Sequence, residues 1–97
     1  MLHINMVIGK LNREIALVRR HIGILRILED RGPLGILKLS HITRMNPAHV
    51  RYSLRVLQQS SFLEPTAKGA KINRKALSFI KNLKNGKTKL IALLNKI

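Results

Sequence analysis

The stretch MNPAHVRYSLRVL, residues 45–57, carries several hydrogen-bonding side chains that a helix would present together. Asn46 is a favourable N-cap, and Pro47 falls at the first helical position, where its missing N–H does no harm. Apolar residues recur at spacings of four and three, which predicts an inner face of Val50, Leu54 and Leu57. At about 100° per residue, the remaining circumference is short, basic and polar, and it carries His49, Arg51, Tyr52, Arg55 and Gln59.

These side chains can make a definite set of hydrogen bonds. The guanidinium groups of Arg51 and Arg55 can each donate two bonds to guanine O6 and N7, and a helix fits the major groove where those atoms lie. Arg44, together with Asn46 and the N-terminal N–H groups of the helix, suits a phosphate. A face of this kind is also often only solvated, and Tyr52 can equally pack against a neighbouring side chain.

The charge of the chain favours an anionic partner. There are 19 Lys and Arg residues against four acids in 97 residues, a net charge of +15. The imbalance is concentrated in residues 31–97, where Glu64 is the one acid. A body with this charge attracts polyanions, so nucleic acid is the first candidate partner and an anionic membrane surface is the second.

Several classes of protein are disfavoured. The chain has no cysteine, and its histidines show no metal-ligand spacing, so we expect neither a disulfide framework nor a metal site. Four acids offer no convincing acid–base pair, and no phosphate-binding loop appears, so we expect no enzyme, no cofactor and no small-molecule ligand. No apolar run is long enough to span a bilayer and no signal peptide is evident, which predicts a soluble, intracellular protein.

Residues 3–30 are expected to form one long helix. Its apolar residues follow the heptad spacing of a coiled coil: Ile4, Ile8, Leu11, Ile15, Val18, Ile22 and Leu25. Gly9 and Gly23 are weak points at which a kink or break is allowed. A helix this apolar must bury two surfaces, one against the core of the domain and one, we expect, against a second copy of the chain.

The remaining elements are short. RGPLG ends the first helix, and a very short extended segment at Leu34 is allowed. A second helix at about 36–44 should turn Ile36, Leu37, Leu39 and Ile42 inward. Residues 62–73 indicate a hairpin with a turn around Lys68-Gly69 and with Pro65 on an edge strand. Asn73 then caps a final helix from about Arg74, which Asn85-Gly86 could divide in two.

The segment LSHITRMNPAHVRYSLRVLQQSSFLEP, residues 39–65, resembles the helix-turn-helix pattern of the winged-helix superfamily. Met45-Asn46-Pro47 resembles its Leu-Ser-Pro at the start of the recognition helix, and Ser61-Phe62-Leu63 resembles its Gly-Leu-Ile before the wing. Ile72-Asn73-Arg74-Lys75 looks like the Leu-Thr-x-x that begins the final helix. Arg44 and Ser61 stand at the two positions where the pattern has glycine. The resemblance covers roughly residues 15–80.

The resemblance implies a mainly α (α+β) fold, a winged helix-turn-helix with a small β-hairpin wing and extended N- and C-terminal helices. One domain would cover residues 1–97. Its parts would be a long N-terminal helix at 1–30, a helix-turn-helix at 36–60, a wing at 62–73 and a C-terminal helix at 74–97. The small size, high charge and long terminal helices look most like archaeal winged-helix DNA-binding proteins, which are commonly dimers.

The function implied is sequence-specific binding of double-stranded DNA by a dimeric transcriptional regulator in the cytoplasm, at the nucleoid. Helix 47–59 would enter the major groove, and the wing at 66–71 would lie on the minor groove or the backbone. The implied DNA-binding residues are Arg44, Asn46, His49, Arg51, Tyr52, Arg55, Gln59, Lys68 and Lys71, with Gln58 a further candidate. The implied dimer contacts are Ile4, Ile8, Leu11, Ile15, Val18, Leu90 and Leu94.

Three alternatives stay open at this point. The excess of charge over the whole chain also fits an architectural or chromatin protein with little sequence preference. A winged helix can serve instead as a platform for RNA or for another protein. The basic, amphipathic C-terminal helix is compatible with an anionic membrane surface, the most remote of the three.

Overall fold

The computed structural model describes residues 2–97 as four helices and one two-stranded antiparallel hairpin. In chain order the elements are α1 (Leu2–Arg31), α2 (Ile36–Thr43), α3 (Pro47–Gln59), β1 (Leu63–Thr66), β2 (Gly69–Ile72) and α4 (Arg74–Leu94). The prediction of a mainly helical chain with a small hairpin is confirmed. None of the helices in residues 2–97 has the length and apolar character needed to cross a membrane.

The two terminal helices are continuous. α1 passes through Gly9 and Gly23 without interruption, and α4 passes through Asn85 and Gly86. At 1.5 Å per residue, a 30-residue helix is about 45 Å long. This length accounts for the longest dimension of the chain, 50 Å.

A short extended segment between α1 and α2 is hydrogen-bonded to the hairpin. The Leu34 N–H donates to the Ala70 carbonyl at 3.1 Å, and the Ala70 N–H donates to the Leu34 carbonyl at 2.9 Å. Leu34 therefore forms an isolated antiparallel bridge beside β2. This pair of bonds fixes the hairpin to the segment between α1 and α2, and it agrees with the extended segment expected at Leu34.

Side-chain hydrogen bonds organise the turn between α2 and α3. The Ser40 hydroxyl donates to the Met45 carbonyl at 2.6 Å, and the Thr43 hydroxyl donates to the Leu39 carbonyl at 2.7 Å. Arg44 follows in the left-handed region, with φ of 57°. α2 therefore ends at Thr43, and the chain turns within three residues to begin α3.

The hairpin closes through a two-residue turn. Thr66 pairs with Gly69, so the turn residues are Ala67 and Lys68, one position before the turn expected around Lys68-Gly69. The Thr66 hydroxyl donates to the Gly69 carbonyl at 2.6 Å and accepts from the Lys68 N–H at 3.2 Å. Pro65 lies in β1, which pairs with β2 alone, as expected for an edge strand.

The core is aliphatic and lies where α1, α2, α3, the hairpin, the Leu34 segment and the first turn of α4 meet. Its buried apolar residues are Ile24, Leu25, Leu28, Leu34, Leu39, Val50, Leu57, Leu63 and Ala76. The inward orientation expected for Leu37 is wrong, because this side chain is 78% exposed. Leu37 and Leu39 are two residues apart on a helix and about 200° apart around its axis, so both cannot face the same core.

Candidate nucleic-acid interface

Helix α3 turns an apolar side inward and a polar side outward. Val50, Ser53 and Leu57 are buried, and Leu54 is half-buried against the core. The inner face predicted from apolar residues therefore includes a serine at its centre. The predicted donors on the rest of the helix are exposed: His49, Arg51, Tyr52, Arg55, Gln58 and Gln59.

The structure groups some of these donors beside the hairpin. Arg51, Arg55 and Gln58 recur at spacings of four and three, so they share one edge of α3. They line a groove of about 390 Å³ whose other wall includes Glu64 and the backbone around Gly69. Two guanidinium groups and an amide are thus presented side by side, next to the strands.

The start of α3 differs from the expectation of free N–H donors. Pro47 has no N–H, and the Ala48 N–H donates to Asn46 Oδ1 at 2.7 Å. The His49 N–H donates to the Asn46 carbonyl at 3.0 Å. Asn46 therefore accepts from the backbone donors at this end of the helix, and a phosphate contact here stays a prediction. This end of α3 can still attract an anion through the positive end of the helix dipole and through the amide group of Asn46.

The remaining basic candidates flank α3. Arg44 is exposed in the turn before the helix, and Lys68 is exposed in the hairpin turn. Lys71 is exposed on β2 directly opposite Glu64 on β1. Glu64 places one negative charge beside the arginines of α3, a feature that the sequence analysis did not assign to this surface.

A contact that the sequence analysis did not foresee joins α1 to α3. The Nδ1 atom of His21 lies 2.8 Å from the Ser53 hydroxyl, and the His21 ring centroid lies 5.9 Å from that of Tyr52. Burial lowers the pKa of His21 below its ordinary value of 6.5, and the nearby Arg20 charge lowers this pKa further. A polar residue at a buried helix position was the available signal, but its partner lies 32 residues away.

A second surface lies between the terminal helices. Leu11, Ile15, Val18 and Leu90, all predicted dimer contacts, line an apolar groove of about 810 Å³ between α1 and α4. Ile4, Ile8 and Leu94 do not line this groove, although their side chains are between 47% and 64% exposed. Phe79 and Leu83 extend the groove along α4. The two helices together therefore present a long apolar surface that the chain itself does not cover.

Within residues 2–97, no three His, Cys, Asp or Glu side chains come close enough together to hold a metal ion. Comparisons of the sequence with protein-family models and curated proteins, and of the chain with solved structures, give no match.

Proposed function

We propose that this chain is a winged helix-turn-helix protein that binds double-stranded DNA in a sequence-specific manner as a homodimer and regulates transcription. In this proposal α3 lies in the major groove, and the wing at 66–71 lies on the minor groove or the backbone. The observation that carries the proposal is the exposed polar side of α3, where Arg51, Arg55 and Gln58 line one edge.

The backbone supports the winged-helix assignment. Arg44 and Ser61, which stand where the superfamily pattern has glycine, are the two non-glycine residues with positive φ among the described residues, at 57° and 62°. Glycine adopts this left-handed conformation without the steric cost that other residues meet. The pattern and the backbone therefore agree at both turns, even though the residue types differ. The bridge at Leu34 supplies a third short extended segment beside the hairpin.

Charge supports a DNA partner. Four acids cannot neutralise 19 basic side chains, so most cations of the chain have no carboxylate with which to pair. Each cation placed on a phosphate releases a counterion, which favours binding to DNA at low salt. The direct contacts to bases would come from Arg51 and Arg55, and further contacts from His49, Tyr52, Gln58 and Gln59. Arg44, Asn46, Lys68 and Lys71 would position the chain on the backbone.

The apolar groove supports the homodimer. Ile15 and Val18 of α1 and Leu90 of α4 are about half exposed. Contact between such large apolar side chains and water is unfavourable, and contiguous exposed apolar surface is typical of interaction sites. A second copy would cover both terminal helices at once and would set two α3 helices against a two-fold symmetric site. Sedimentation of the wild type and of Ile15→Glu tests this: a dimer is expected for the wild type and a monomer for the variant. A monomeric wild type at micromolar concentration would contradict the dimer.

An architectural role is the second candidate, because many exposed cations lie outside α3. Six of them are on α4 and a seventh follows it: Arg74, Lys75, Lys81, Lys84, Lys87, Lys89 and Lys96. Selection from a random duplex pool at about 150 mM salt separates the two candidates. Enrichment of a two-fold symmetric motif supports the regulator. Binding without an enriched motif supports the architectural role, and no binding to any duplex rejects both.

A further inference from the structure

We propose that His21 of α1 is a positioning residue for DNA binding: it fixes the orientation of Tyr52 on α3, so that the helix expected to form the dimer also organises the surface expected to contact DNA. This inference rests on the proposed function, and it assigns a role to a residue outside the helix-turn-helix.

The first observation is the burial of Ser53. Its side chain is fully buried at the centre of the inner face of α3, and its hydroxyl is paired with His21 Nδ1 at 2.8 Å. A buried hydroxyl without a partner is costly, so this bond holds the imidazole in place. It is the one hydrogen bond between two side chains in the part of the chain that the structure describes. A serine at this position, flanked by Val50 and Leu57, is therefore explained by its bond to α1.

The second observation is the position of the Tyr52 ring. Tyr52 is the residue next to Ser53, so the two side chains leave α3 about 100° apart. The imidazole held by Ser53 reaches the Tyr52 ring, with a centroid distance of 5.9 Å and an interplanar angle of 44°. Tilted aromatic pairs at this separation are favourable. Tyr52 remains 44% exposed, so one side of its ring contacts His21 while the rest is open to a partner.

The consequence for binding is entropic. A long side chain that is mobile before binding loses rotamer freedom when it meets DNA, and this loss weakens the complex. A Tyr52 ring already held by His21 loses less. Removing the imidazole should therefore weaken duplex binding by roughly threefold to tenfold, and this loss should depend on the presence of Tyr52.

Two substitutions separate the ring contact from the hydrogen bond. His21→Asn keeps a polar group near the Ser53 hydroxyl but removes the ring beside Tyr52. His21→Phe keeps a ring but leaves the buried Ser53 hydroxyl without its partner. We expect His21→Phe to lower the free energy of unfolding more than His21→Asn does. Because His21→Asn should stay folded, its effect on binding can be measured separately from its effect on stability.

The decisive experiment is a double-mutant cycle of His21→Asn and Tyr52→Ala, with duplex affinity as the readout. His21→Asn should weaken binding in the wild-type background and have no further effect in the Tyr52→Ala background. A purely structural role for His21 would give the same loss in both backgrounds, and that result would overturn the proposal. Unchanged affinity in His21→Asn with Tyr52 present would overturn it as well.

A second readout needs no DNA. Tyr52 is the single tyrosine and the chain has no tryptophan, so intrinsic fluorescence reports on this one ring. Time-resolved anisotropy should show a larger amplitude of fast local motion in His21→Asn than in the wild type. Equal amplitudes would refute the positioning of Tyr52 itself. If the amplitudes differ but the wild type binds no duplex, the proposed function fails while the contact between the two rings stands.

Discussion

Gly69 lies against the backbone of Leu34 so closely that a Cβ at residue 69 would overlap the Leu34 carbonyl group and the Gly35 nitrogen. The φ of Gly69 is also +120°, a conformation that L side chains rarely adopt. The next residue, Ala70, forms the antiparallel bridge with Leu34. Glycine at residue 69 is therefore what allows the hairpin to join the segment between α1 and α2.

Gly69→Ala should lower the free energy of unfolding by about 3 kcal/mol, because backbone strain and steric overlap add together. Chemical denaturation measures this loss. Ala67→Ser, in the exposed turn of the same hairpin, is the matched control and should change stability by less than about 0.5 kcal/mol. Equal effects of the two substitutions would contradict the close approach of Gly69 to Leu34.

Ser60 and Ser61 should respond in opposite ways to glycine. Ser61 has a φ of 62°, where glycine is favoured, so Ser61→Gly should raise the free energy of unfolding by about 0.5–1 kcal/mol. Ser60 has a right-handed φ of −78° and donates its hydroxyl to the Val56 carbonyl, so Ser60→Gly should lower the free energy by a similar amount. Thermal unfolding of both variants provides the comparison. The same sign for both would argue against the left-handed turn at Ser61.

Arg55→Ala should cost about 1–3 kcal/mol of binding free energy on a selected site and much less on random DNA, since a base contact is lost only on the site. Titration of both duplexes at one salt concentration measures the difference. Lys81→Ala, an exposed cation on α4, is the control and should weaken both complexes to a similar extent. Equal losses on the two duplexes for Arg55→Ala would remove base recognition by Arg55.

Glu64→Gln should strengthen duplex binding by about fivefold. Glu64 lines the groove beside Arg51 and Arg55. Its negative charge would repel a nearby phosphate, and removing this repulsion should improve the binding free energy by about 1 kcal/mol where the dielectric is close to that of water. Affinity at low salt is the measurement. Glu29→Gln, at the exposed end of α1, should have a smaller effect. Weaker binding by Glu64→Gln would instead indicate that the carboxylate accepts a hydrogen bond from a base.

Stability should fall as the solution becomes acidic. The pKa of His21 is lowered in the fold by burial first and by Arg20 second, so the unfolded chain binds the proton more readily. The stabilising effect of neutral His21 is therefore fully present above pH 6.5 and is lost as the pH falls through the lowered pKa. Between about pH 7.5 and about pH 5, the melting temperature should fall more for the wild type than for His21→Asn. Parallel losses in the two proteins would exclude His21 as the cause.

Features that depend on neighbouring residues could be predicted from the sequence. The Asn46 cap of α3, the Asn73 cap of α4 and the edge strand at Pro65 each follow from side chains within a few positions. The alternation of apolar and polar residues along α3 was enough to predict its exposed donors. Such signals are local because helices and turns are stabilised by bonds between residues at most four apart.

Only the tertiary structure decided the contacts between distant segments. The sequence could not give the bond between His21 and Ser53, because it depends on how α1 crosses α3. The exposure of Leu37 and the groove shared by Arg55 and Glu64 depend in the same way on which elements pack together. Charge and helical periodicity determined that the chain is basic, mostly helical and polar on one side of α3. The packing of the helices around one aliphatic core determined which of those polar groups meet.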